Sequence, residues 1–139
     1  MNETPRIEQF LFQLLMGDPA LTAVVGSRVH ITPAPQGTAF PHVVFNYQSG
    51  MDVQGCGTHR TMLRALYQVK VISKGSPDAA VRTAADRIDE LVGKVAAATL
   101  NGYIFSGRRT TPIRFIETAG DIVFHHIGGL YRVEVYSAL

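Results

Sequence analysis

A single cysteine, Cys56, is all the thiol chemistry this 139-residue chain carries, and tryptophan is absent. No intrachain disulfide can form, and a reducing compartment is the expectation. Charge is also scarce: charged residues make up 17%, below the roughly 25% of ordinary soluble domains. A surface so lightly charged favours buried contacts between subunits. The formal net charge of +2 is too small an imbalance to imply polyanion binding by itself. No apolar run approaches the ~20 residues of a membrane span. Glu3 and Arg6 around Pro5 do not make a signal peptide, so the expected place of synthesis is the cytoplasm with no membrane partner. What is present is apolar: 46% of residues, enough for one core and a single domain over residues 1–139.

The stretch from Thr61 to Thr99 organises the rest. Leu63, Ala65, Tyr67, Val69 and Val71 alternate with Arg64, Leu66, Gln68 and Lys70, the period of a strand with one face buried. Ser76 then predicts an N-cap, with Pro77 at the first helical position and Asp78 near the positive helix end. Val81, Ala84, Ala85, Ile88, Leu91, Val92 and Val95 follow at three- and four-residue steps, predicting one long amphipathic helix. Upstream, Thr4-Pro5 opens a helix with Ile7, Phe10, Leu11, Leu14 and Leu15 on one stripe, stopped by Gly17. Asp18-Pro19 restarts a short one that Gly26 ends.

Arg28–Thr32 is a brief strand candidate, and the proline-rich residues 33–41 read as a loop. His42–Gln48 alternates again. A long glycine-bearing connection, residues 49–60, leads into the long strand, and a connection of that length suggests a binding or assembly arm. Beyond the helix come a short strand at residues 103–105, a basic loop from Ser106 to Pro112, two short strands at 113–118 and 122–127, and a last strand after Gly128-Gly129. The order predicts an α+β fold: a mostly antiparallel sheet with one long helix and the N-terminal helices packed on one face. The last strand is a natural neighbour for Thr61–Ser73.

Candidate chemistry gives little. Cys56-x-x-His59 has the spacing of half a zinc site, but no second pair completes four ligands. His125 and His126 on a strand would point to opposite faces. Gly55-Cys56-Gly57-Thr58 resembles a phosphate-cradling loop in composition only, since such loops precede a helix and here a strand follows. No nucleophile elbow or pair of loop carboxylates suggests catalysis, so no catalytic residue, metal or cofactor is expected. Arg108, Arg109 and Arg114 form the best basic cluster, too few cations for tight nucleic-acid binding.

Asp18-Pro19-Ala20-Leu21-Thr22-Ala23-Val24-Val25-Gly26-Ser27-Arg28-Val29 after an amphipathic helix, then Ala34-Pro35-Gln36-Gly37 and Phe40-Pro41-His42-Val43-Val44, resembles the tail-completion or tail-terminator family of long-tailed bacteriophages and prophages. The strand 66–71, the Ser76-Pro77 helix start and the closing residues 130–136 extend the resemblance over nearly the whole chain. It implies a non-enzymatic homo-oligomeric ring, by analogy of six copies, that caps the finished tail tube and presents a surface to head-completion proteins at the neck. The implied partners are further copies of the chain, the tail tube protein and a neck protein, with DNA passing through the lumen. The implied setting is the host cytoplasm during assembly, then the virion tail. A head–tail connector or minor tail protein is the alternative, and a small ligand-binding or enzymatic domain a third. Long or basic loops are where partners bind, so the expected assembly or lumen contacts are Asp52, Gln54, His59, Arg60, Arg108 and Arg109.

Overall fold

Six strands and three helices build the residues described by this computed structural model, 3–57 and 60–137. In chain order they are α1 (Thr4–Met16), α2 (Pro19–Val25), β1 (Val29–Ile31), β2 (His42–Gln54), β3 (Arg60–Lys74), α3 (Ala79–Val92), β4 (Val95–Leu100), β5 (Tyr103–Ala119) and β6 (Ile122–Ser137). The strands form one sheet in the order β1-β2-β3-β6-β5-β4. It is a mixed sheet: β1 lies parallel to β2, and the other neighbours run antiparallel. β3 and β6 pair from Leu63↔Val135 to Lys74↔Phe124, placing the last strand beside the long one as expected.

The alternation in β3 fixes which face is covered. Leu63, Ala65, Tyr67, Val69 and Val71 are buried together with Val133 and Val135 of β6 and Phe105 of β5. α1 and α3 lie on that face. Phe10 stacks on Phe105 at 4.3 Å between ring centroids, and the Tyr67 hydroxyl donates to Glu8 Oε2. The apolar stripe of α3, Val81, Ala84, Ile88 and Val92, is buried against the same core. Burying some twenty apolar side chains at about 1.5–3 kcal/mol each is what opposes the chain entropy of a domain this size.

Several boundaries differ from the sequence reading. α3 is capped by Asp78, whose Oδ1 accepts from the Val81 amide at 2.9 Å, so Ser76 and Pro77 lie before the helix. At its other end α3 stops at Val92, with Gly93 as C-cap, and residues 95–100 form β4. The alanines there favour helix intrinsically, but pairing with the edge of β5 outweighs that preference. α3, at 14 residues, is therefore not a single long helix: α1 has 13. α1 begins after Glu3, which offers no side-chain cap, and Thr4 is its first helical residue.

The largest difference is downstream. The expected Ser106–Pro112 loop is strand, and the three expected short strands and the last strand merge into the continuous 17- and 16-residue strands β5 and β6. β5 absorbs one irregularity between Arg109 and Thr111. The long connection between β2 and β3 is likewise a hairpin, with strand out to Gln54 and from Arg60.

Candidate assembly surfaces

The β2–β3 hairpin brings three of the expected contact residues together. Gln54 and Arg60 are cross-strand partners, and Arg60 Nη1 lies 3.4 Å from Asp52 Oδ1. The main attachment of Arg60 is different. Its Nη2 and Nε donate to the two carboxylate oxygens of Glu3, at 2.7 and 3.2 Å. That two-point contact, of the geometry guanidinium and carboxylate favour, holds the guanidinium more firmly protonated than usual, with Asp52 a smaller contributor. Arg60 thus ties the start of α1 to the sheet. His59 lies outside the described residues.

Arg108 and Arg109 cannot act as one cluster, because consecutive strand residues point to opposite faces. Arg109 is on the helix side, its Nε 3.5 Å from Asp89 Oδ1. Asp89 Oδ1 also accepts from the Tyr131 hydroxyl at 3.3 Å. Burial first, and the Asp89 charge second, push the Tyr131 hydroxyl pKa well up. Arg108 faces the bare side, next to Arg132.

That bare side carries a basic patch that the sequence reading missed. Arg64 Nε donates to Glu134 Oε2 at 2.9 Å. Arg132 Nε is buried and has no hydrogen-bond partner among the described residues. Arg108, Arg132, Glu134 and Lys94 line an open groove of about 350 Å³. Of the three arginines on this face, Arg64 is the one whose contact with the Glu134 carboxylate is seen. Arg64 and Arg132 are far apart in sequence and meet only because β3 pairs with β6, and only the phase of each strand's alternation hints that they share a face.

Further along the same face lies an aromatic and imidazole cluster. Phe115 stacks on His126 at 4.3 Å, with Lys70 Nζ 4.8 Å from the ring centroid. His126 Nε2 is 3.1 Å from Glu117 Oε1. Phe40, from the proline-rich loop, packs on Phe124 and His42. Burial lowers the pKa of both His42 and His126, against the smaller opposing effects of the Ala39 carbonyl and of Glu117. Among the described residues no group of three His, Cys, Asp or Glu converges as a metal site, and Cys56 is exposed. Among the described residues no helix is long and apolar enough to cross a membrane.

Both sides of the sheet end in incomplete edges. β1 covers β2 only at Val43–Phe45, and β4 covers β5 only as far as Gly107. Among the described residues no strand pairs with the outer edge of β2 beyond Phe45 or of β5 beyond Gly107. Large exposed apolar side chains sit on these two stretches: Tyr47 (43% exposed) and Met51 (57%) on one, Phe115 (41%) and Ile116 (61%) on the other. An exposed edge with apolar side chains is a template for pairing with another chain.

The same fold occurs in solved structures. A chain of the virion of a native gene transfer agent particle superposes with a TM-score of 0.71 at 17% identity, covering 91% of this chain and 92% of that one. Another solved chain matches with a TM-score of 0.59 at 15% identity over 98% and 97% of the two chains. No curated protein matches significantly in sequence. The family model described as tail completion protein gp17 matches residues 9–127. The chain belongs to that family, and is a structural protein of a phage tail.

Proposed function

We propose that this protein caps the phage tail tube as a ring of copies, ends tube polymerisation and offers the surface to which the head attaches. The match of residues 9–127 to the tail completion family carries this reading. The unlike faces of the sheet support it: helices cover one side, and the other is bare, basic and aromatic. A ring of such subunits has two different sides. One matches the last tube ring, and the other offers no copy of that ring to further tube subunits. Termination is then occlusion by shape and needs no reacting group.

Where DNA passes through the ring, Arg108 faces it in company with Arg132 and Arg64, while Arg109 serves the helix side. Changing Arg108 and Arg132 together to Ala is expected to slow DNA delivery without altering tail length. Unchanged delivery would remove the DNA contact from the reading.

Electron microscopy of tails assembled with and without the protein tests the proposal. Tubes longer than normal and of scattered length in its absence are expected. Tails of uniform normal length would overturn termination, and rings that form unaided yet leave isolated tubes uncapped would make it a connector instead.

A further inference from the structure

The two uncovered strand edges fit each other, and we infer that the ring closes by pairing β2 of one copy with β5 of the next. This deepens the proposed ring and rests on it. β2 and β5 run in opposite directions across the sheet, since three antiparallel pairings separate them. A second copy added beside β5 in the same orientation therefore meets it antiparallel. A contact between two different edges is heterologous, and it can repeat around an axis until it closes.

The covered parts of the edges determine the stagger. β4 blocks β5 up to Gly107, and β1 of the arriving copy projects alongside its own β2 at Val43–Phe45. The arriving copy must slide along the strand direction until its β1 clears the end of β5 at Ala119. The slide must also be an even number of residues, because an odd step would turn every side chain of β2 to the wrong face. A six-residue stagger leaves β1 overlapping Thr118 and Ala119. Ten carries part of β2 past the end of β5. Eight, roughly 26 Å at the strand repeat, satisfies both limits.

At that stagger the side chains match. Asp52 is level with Leu63, and Arg114 is level with Val71, eight residues further along β3. Asp52 of one copy thus faces Arg114 of the next on the helix side. On the bare side, by the same displacement, Met51 meets Phe115 and Val53 meets Ile113. Opposite charges and apolar residues directly across an antiparallel pair are the combinations that stabilise it. Arg114 makes no ion pair among the described residues, and Met51 and Phe115 are two of the exposed apolar side chains noted above.

Disulfide trapping tests the register, because directly opposed Cβ atoms lie about 4.5–5.5 Å apart and can be bridged with a small adjustment. In a Cys56→Ser background, Met51→Cys combined with Phe115→Cys is expected to convert most of the monomer band, on mild oxidation, into a ladder of linked copies. Met51→Cys with Ile116→Cys puts the thiols on opposite faces and should give no ladder. Independently, Arg114→Glu should reduce the oligomer seen in sedimentation, and adding Asp52→Lys should restore it. Rings visible by electron microscopy but unlinked in the first variant overturn this pairing and leave tube capping intact. A protein that stays monomeric and unlinked at every concentration overturns the pairing too. A clean ladder together with normal tails in the protein's absence overturns capping and leaves the pairing intact.

Discussion

Asp18 shows how much one carboxylate can organise. Its Oδ2 accepts from the Leu21 amide at 2.9 Å, capping α2, and from Arg87 Nε at 3.0 Å, while Oδ1 accepts from Arg87 Nη2 at 2.9 Å. The cap and the ion pair fasten the α1–α2 corner to α3. Asp18→Ala is expected to cost about 1–2 kcal/mol from the cap, read from the urea midpoint at neutral pH. Hydrogen bonds from Arg87, opposed in part by burial, hold the folded Asp18 pKa below its ordinary value. Its contribution is therefore complete above the unfolded value of about 3.9 and is lost as pH falls through the lower folded value. The gap between wild type and Asp18→Asn should narrow over that interval. His42 and His126 act higher on the scale. Burial depresses both, so their neutral forms favour the fold above about pH 6.5, and stability falls as pH drops from there toward the folded values. His126→Phe, which keeps a ring against Phe115, should shrink that first loss to the share of His42 and leave the later one. Arg60→Gln should speed amide exchange in the first turn of α1, residues 4 to 8, while amides in the middle of β3 stay protected, because the Glu3 contact is local to that turn.

At the scale of elements, much of the fold was legible. Periods of two and of three to four residues placed β3, α1 and the core of α3, and Asp18-Pro19 and Gly26 bounded α2. The differences share a cause: residues that interrupt a pattern in isolation need not interrupt the chain. Gly128 and Gly129 suggested a break, yet both lie inside β6, and at Gly128 there is no room for anything larger. A Cβ at Gly128 would collide with the Val69 carbonyl and the Lys70 backbone, and one at Gly107 would come within 2.5 Å of the Val92 carbonyl. Glycine here permits close approach rather than a turn. Pro112 suggested a loop, but it sits on an uncovered strand edge, where a missing N–H need cost no ladder bond. Gly128→Ala is accordingly expected to destabilise by about 1–3 kcal/mol or more, as overpacking does, measured by thermal or urea unfolding. If it proved neutral, β6 would have to be looser against β3 than the register implies.

For the whole molecule, the family was legible only through the order of packing and turn motifs. The surfaces were legible only in fragments. Asp52 and Arg60 do meet, but Arg60 is taken up by Glu3; Arg108 and Arg109 part company across the sheet. Arg64 and Arg132 come together through strand order, which alternation within each segment does not encode. The incomplete edges were invisible for the same reason, being a property of how far β1 and β4 extend along their neighbours.

Pro112, with the irregularity beside it at Arg109–Thr111, has a further effect before any partner arrives. A long bare strand is a nucleus for amyloid-like stacking, and proline and arginine are the residues that act as gatekeepers against it. Pro112→Val should leave the monomer folded but prone to form thioflavin-positive fibrils on standing, where the parent chain stays clear.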